Sequence, residues 1–236
     1  IRTDHGTYAV RYAGMGEIRQ LEQWYRMNQA QNFDEWREAM SMLSFASFNF
    51  VYADKDDNIM FLHNSLTPRR MEGYEWNNYL PGDRSELIWK ETLGFSQLPQ
   101  VINPDAGFVL SANQTPFRVT HPSENPKQAD YSPVHGFQLN MTNRANRGLE
   151  LFESLLPISK QEFFEIKHDK FYSKTTDYVT YLDKIRSANF AEPLLKEAQA
   201  VISDWDLGTD QENLSAALGT CVLLAAEKDD DREQHS

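Results

Sequence analysis

Asn113 stands at the end of an apolar run, Gly107-Phe108-Val109-Leu110-Ser111-Ala112, and is followed by Gln114-Thr115-Pro116. On residue type alone it reads as a turn residue, because an asparagine side chain mimics backbone and tolerates the left-handed region. Its sharper use would be chemical. A side-chain NH₂ held at a strand end can donate to the alkoxide that develops when an amide is attacked, and deleting one such donor typically costs about 10²–10³ in rate. Downstream, Arg144 and Arg147 open a helical pattern. A cation in a first helical turn is mildly opposed by the helix dipole, so Arg144 invites a reason for its place, whereas Arg147 reads as a solvated charge. The acidic pairs Asp54/Asp57 and Glu72/Glu75 carry the residue types of glycoside cleavage, but carboxylates in polar turns are far more often solvated. His63, His121, His135 and His168 have no metal-ligand spacing and read as surface or loop residues. No His-Glu-x-x-His, Cys-x-x-Cys, Gly-x-Ser-x-Gly or phosphate-cradling glycine loop occurs.

The elements that would position these residues change character along the chain. Tyr8–Tyr12 reads as a short strand, and residues 17–30 as a helix with Ile18, Leu21, Trp24 and Tyr25 on one side. Asp34 sits where an N-cap belongs, ahead of a second helix reaching about Ser44. Residues 49–53, the polar turn Asp54-Lys55-Asp56-Asp57-Asn58 and residues 59–62 form a hairpin signal. Phe45, Phe48, Phe50, Tyr52 and Phe61 should form core on that hairpin. Pro68, Gly73, Pro81, Gly82, Gly94, Pro99, Pro104 and Gly107 punctuate the middle, which excludes long helices there. Residues 107–112 read as one more strand. From Leu139 the pattern is helical. Leu149, Phe152 and Leu156 share a helix face that Pro157 ends, Ser159 and Glu162 make a capping box, and further helices are expected over residues 176–187, 191–203 and 213–227. The expected organisation is α+β in a single partial domain over 1–236: strands, turns and two helices over 1–118, a loop over 119–138, helices over 139–227 and a frayed tail over 228–236.

Composition bounds the function. The 236 residues carry 35 acidic and 23 basic side chains, a formal charge of −12. That field disfavours nucleic-acid backbones as the main partner. No apolar run approaches the roughly 18 residues a membrane span needs, and no signal-peptide pattern opens the chain. Cys221 is the one cysteine, so no internal disulfide forms, and its small, apolar neighbours suggest a buried thiol.

An ordered set of motifs resembles one family. Asn103-Pro104-Asp105-Ala106-Gly107 precedes Asn113 by ten residues, and Arg144 precedes Glu150 by six. Tyr52-Ala53-Asp54 leads through a turn to Asn58-Ile59, with Asp57 where glycine is usual. Pro68-Arg69, Leu80-Pro81-Gly82-Asp83 with Trp89, Leu98-Pro99 and Trp205-Asp206 follow in order, and His5-Gly6 opens the set with Thr7 in place of proline. The set resembles the penicillin acylase family of N-terminal nucleophile amidohydrolases, and within it the acyl-homoserine lactone acylase branch. The resemblance implies a layered αββα fold and hydrolysis of the linear amide of an N-acyl compound, through an acyl-enzyme on an N-terminal serine. In that role Asn113 would be the oxyanion donor, and Arg144 would hold Asn113 and the substrate end of the site. None of Ile1, Arg2 or Thr3 fits the nucleophile, which is therefore expected outside this chain, leaving an inactive interior piece of the nucleophile-bearing chain. The resemblance further implies a precursor that cleaves itself into two chains, an α chain as partner, a periplasmic or secreted location and no cofactor for the chemistry, while allowing a structural calcium. A non-catalytic relative or binding module that keeps the fold is the alternative.

Overall fold

The computed structural model describes residues 1–155 and 157–234. The chain divides into two compact units, Ile1–Met141 and Thr142–Ser236. In the first, a two-residue hairpin of β1 (Arg2–Thr3) and β2 (Gly6–Thr7) precedes helices α1 (Gln20–Gln29) and α2 (Phe33–Met40). An antiparallel sheet follows, in the order β3 (Ser47–Ala53), β4 (Ile59–Ser65), β5 (Gln100–Ile102). The expected hairpin is thus present, with Phe50 opposite Leu62. Its turn keeps a left-handed residue where glycine is usual, since Asp57 has φ of 63°, a conformation short polar side chains tolerate. Asp54 is a turn residue: its carboxylate accepts from the backbone N–H of Asp56 and Asn58.

Three local expectations are corrected. Asn32, rather than Asp34, caps α2, because its side chain accepts from Glu35 N at 3.0 Å while Asp34 lies in the first turn. Tyr8–Tyr12 is not a strand: Tyr8 exchanges backbone bonds with Ile1 beside the first hairpin, but the segment leaves it there, and Val10 and Tyr12 are exposed. Residues 107–112 form no strand either. Their arm is joined to residues 119–120 by one backbone bond, Leu110 N to Val119 O, and by side chains, while β5 takes the place beside β4.

The core of this unit gathers Trp36, Met40, Phe45, Phe50, Met60, Leu62, Leu93 and Leu98. Phe48, expected inside, is exposed at the strand end against Phe45 and Phe50. Helix α1 meets this core through Met27, through Trp24 edge-on to Phe45 and Phe50, and through a polar residue. The buried Gln23 donates to Asn64 Oδ1 and accepts from Ser44 N at 2.7 Å, and Asn64 in turn donates to Met40 O at 2.8 Å. A buried hydrogen-bonded network of this kind specifies one packing. Of the expected face, Ile18, Leu21 and Tyr25 are exposed, Ile18 at 85% and Leu21 at 82%, and Trp24 alone turns its ring to Phe45 and Phe50.

The second unit is helical: α3 (Asn143–Leu155), α4 (Lys160–Lys167), α5 (Asp177–Ser187), α6 (Pro193–Asp204) and α7 (Ala216–Gln234). Leu156 of the expected α3 face, and His235 and Ser236 of the expected tail, lie outside the described residues. The capping box forms as expected, with Ser159 Oγ accepting from Glu162 N and the Glu162 carboxylate from Ser159 N. Leu182, Ile202, Trp205, Leu207 and Leu223 make the core. Helix α7 buries Ala216, Gly219 and Leu223 at helical spacing, which turns Cys221 outward. The thiol is exposed, not buried. No described helix is long and apolar enough to cross a membrane.

Candidate functional site

The Asn113 turn is built from two arms that side chains tie together. Asn103 starts it. With φ of 45° it accepts from Ile59 N at 2.8 Å and donates to Asn58 Oδ1 at 3.1 Å, anchoring the segment to the hairpin end. Gly107 closes the following turn with φ of 73°, its N–H donating to Pro104 O. Thr120 Oγ1 donates to Phe108 O at 2.7 Å, and Asn125 Oδ1 accepts from both Val119 N and Thr120 N.

At the apex, Gln114 acts as an internal clamp. Its side chain, 2% exposed, accepts from Ala112 N at 2.6 Å and donates to Leu110 O and Arg118 O at 3.1 and 3.0 Å. All of its main hydrogen-bonding directions serve the turn, so Asn113 is held with φ of 61° and its side chain on the exposed side. Left-handed backbone is one of the few strained states asparagine adopts readily. The turn reading of Asn113 is what the backbone shows: the residue makes the bend and is exposed there.

The turn is further tethered to the sheet. Asn49 Nδ2 donates to Gln114 O at 3.5 Å, and Asn49 Oδ1 lies 2.7 Å from His63 Nδ1. Thr115 N donates to Asn140 O at 3.0 Å. His63 was expected at the surface or in a loop. It lies on β4, partly buried and edge-on to Phe137. Burial pushes its pKa down to about 4, so the ring is neutral and the Asn49 contact assigns its proton to Nδ1. The folded pKa lies below the ordinary value of 6.5, so His63 favours the fold fully above pH 6.5. That contribution falls as pH drops toward 4. At about 1.4 kcal/mol per unit, the loss is on the order of 2–3 kcal/mol. Hydrogen exchange of the β3–β4 amides in the full-length protein should report it between pH 7 and 4.5. His63→Gln should flatten the dependence; an equally steep profile in that variant would exclude His63 as its source.

Arg144 lies in the second unit, exposed in the first turn of α3. Arg147, expected to be solvated, is instead ion-paired. Its Nε and Nη2 grip Asp169 at 2.9 and 2.7 Å, and Nη1 reaches Glu150 at 3.4 Å. The Asp169 bonds raise the Arg147 pKa, and Arg147 in turn holds Asp169 below its usual range. Glu150 is a loop anchor. It accepts from Ser173 Oγ, Lys174 N and Thr175 N, while Asn143 Oδ1 accepts from Ser173 N. Burial works against the Glu150 charge, but bonds from Ser173, Thr175 and Arg147 outweigh it and lower the pKa. Gln114 and Asn49 are the participants that sequence reasoning passed over, and Glu150, marked only for its spacing from Arg144, has a loop-anchoring part that the spacing did not give. None has a local signature, because each is recognised by what it bonds across the fold.

Among the described residues no group of three or more His, Cys, Asp or Glu is placed to hold a metal ion.

The α+β fold of this chain is that of the penicillin acylases. Over 89% of this chain it superposes, with a TM-score of 0.61 and 22% identity, on 38% of a chain of the thermostable penicillin G acylase from Alcaligenes faecalis. Penicillin G acylase of Escherichia coli is 31% identical over 120 residues, which cover 49% of this chain and 14% of that protein. The penicillin amidase family model matches residues 1–228, and the chain belongs to the penicillin amidase family. It spans well under half the length of these relatives.

Proposed function

We propose that the protein containing this chain is an amidohydrolase that cleaves the linear amide of an N-acyl compound, such as an acyl-homoserine lactone or a β-lactam side chain. Asn113 is the oxyanion donor and Arg144 the orienting cation, roles that rest on the resemblance. The observation that carries the reading is the Gln114 clamp, which fixes the backbone on both sides of Asn113. An oxyanion donor stabilises charge only when it is positioned before the reaction begins.

The attacking group comes from the rest of the protein, as an N-terminal serine released by self-cleavage of a precursor, with an α chain as companion and a periplasmic or secreted location. The partial coverage of the relatives supports this. So does the exposed face of Ile18, Leu21 and Tyr25, a large apolar surface that another part of the protein would cover. The test is product analysis by mass spectrometry. Full-length protein given an acyl-homoserine lactone or penicillin G should release the free acid and leave the lactone or β-lactam ring closed. The isolated 236 residues should release nothing. Acid release by the isolated chain would place the nucleophile inside it, and binding without release by the full-length protein would favour a non-catalytic relative.

A further inference from the structure

The first unit contains a cleft of about 690 Å³ whose wall includes Arg70, Glu72, Trp76, Phe117, Tyr131 and Phe137. Its size and mixed lining suit a small molecule. Arg70 is the cation in that wall. Its guanidinium lies over the rings of Trp76 and Trp89, 5.3 and 5.7 Å from their centroids. Nη1 donates to Val134 O at 3.2 Å, and Nε is buried with no hydrogen-bond partner. Among the described residues no carboxylate pairs with it. Burial acts against its charge and lowers its pKa.

Two aromatic faces hold the cation in place, but they supply no acceptor for its remaining N–H groups. A partly buried guanidinium without a counterion is costly. Gly136 makes room for it: with φ of 73°, it leaves empty the position where a Cβ would stand 2.8 Å from Arg70 Nη1. The fork of a guanidinium matches a carboxylate, and Phe117, Tyr131 and Phe137 pack against one another as an apolar wall suited to a ring. Glu72 and Glu75 also line the cleft and are exposed, Glu72 accepting from Ser132 Oγ. Their charges disfavour a ligand bearing more than one negative charge.

We propose that this cleft is a binding site for a small aromatic monocarboxylate, with Arg70 pairing its carboxylate and the Phe117–Tyr131–Phe137 wall taking its ring. The site concerns binding alone and stands apart from any turnover assigned to Asn113.

The test is titration calorimetry on the full-length protein with benzoate, neutral benzamide and dianionic phthalate. Benzoate should bind at least about tenfold more tightly than either of the others. Arg70→Gln should weaken benzoate by a similar factor and leave benzamide unchanged. Hydrogen exchange locates the site without any variant: benzoate should slow exchange of amides in 70–76 and 131–137. Absence of benzoate binding at millimolar concentration overturns the proposal. So does equal affinity for benzamide, protection confined to other segments, or undiminished benzoate binding by a folded Arg70→Gln protein. If that variant does not fold, the ligand series and the exchange map decide.

Discussion

Asn113→Ala in the full-length protein should lower turnover of an N-acyl amide by about 10²–10³, equivalent to roughly 3–4 kcal/mol of lost transition-state stabilisation. The obvious objection is structural. Asn113 has φ of 61°, and alanine is strained there by about 1 kcal/mol or more, so a loss of activity could come from a collapsed turn. Asn113→Gly separates the two causes. Glycine adopts positive φ without steric penalty, and the Gln114 clamp bonds only to backbone groups of residues 110, 112 and 118. The turn should therefore survive while the amide is gone. If Asn113 is the donor, the glycine variant is as slow as the alanine variant, with kcat falling more than KM rises. Recovery of wild-type kcat in Asn113→Gly would show that the side chain only shaped the bend.

The largest expected effect on stability is at Trp205. Its ring is 2% exposed, stacks edge-on with Tyr172 at 5.7 Å and donates through Nε1 to Gly208 O at 2.7 Å. Truncating a buried tryptophan typically costs about 3–5 kcal/mol, so Trp205→Ala should destabilise the second unit by that order. Gly219 provides the complementary experiment. A Cβ there would fall inside van der Waals contact of three Trp205 ring atoms. Glycine in a helix ordinarily costs about 1 kcal/mol relative to alanine, yet here overpacking costs about 1–3 kcal/mol and wins. Gly219→Ala should therefore destabilise, against propensity. Hydrogen exchange of the α6 and α7 amides measures both variants. A stabilised Gly219→Ala protein would mean that the Trp205 ring has room to move away.

Local signals were legible where the responsible groups are neighbours in sequence. The hairpin of β3 and β4, the Ser159–Glu162 capping box and the helices of the second unit follow from periodicity, turn residues and caps that act within a few positions. Residues 107–112 misled because apolar content is necessary for a strand but a ladder partner is what makes one, and β5 holds the place beside β4. Residues 17–30 misled in the opposite way. Of their apolar side only part is used: α1 packs through Trp24 and Met27 together with Gln23, whose place is set by Asn64, Met40 and Ser44 on other elements.

The same division runs through the candidate site. The sequence by itself determined the family, through an ordered set of short motifs that the match over residues 1–228 bears out, and it marked Asn113 and Arg144 as residues to watch. Tertiary structure decided that Gln114 clamps the Asn113 turn, that Arg147 and Glu150 are anchors in an ion-pair and loop network, that His63 is partly buried and neutral, and that Cys221 faces outward. The physical reason is range. Turn preference and helix capping are properties of adjacent residues, whereas burial, charge pairing and a glycine's clearance from a tryptophan ring depend on groups that only the fold brings together.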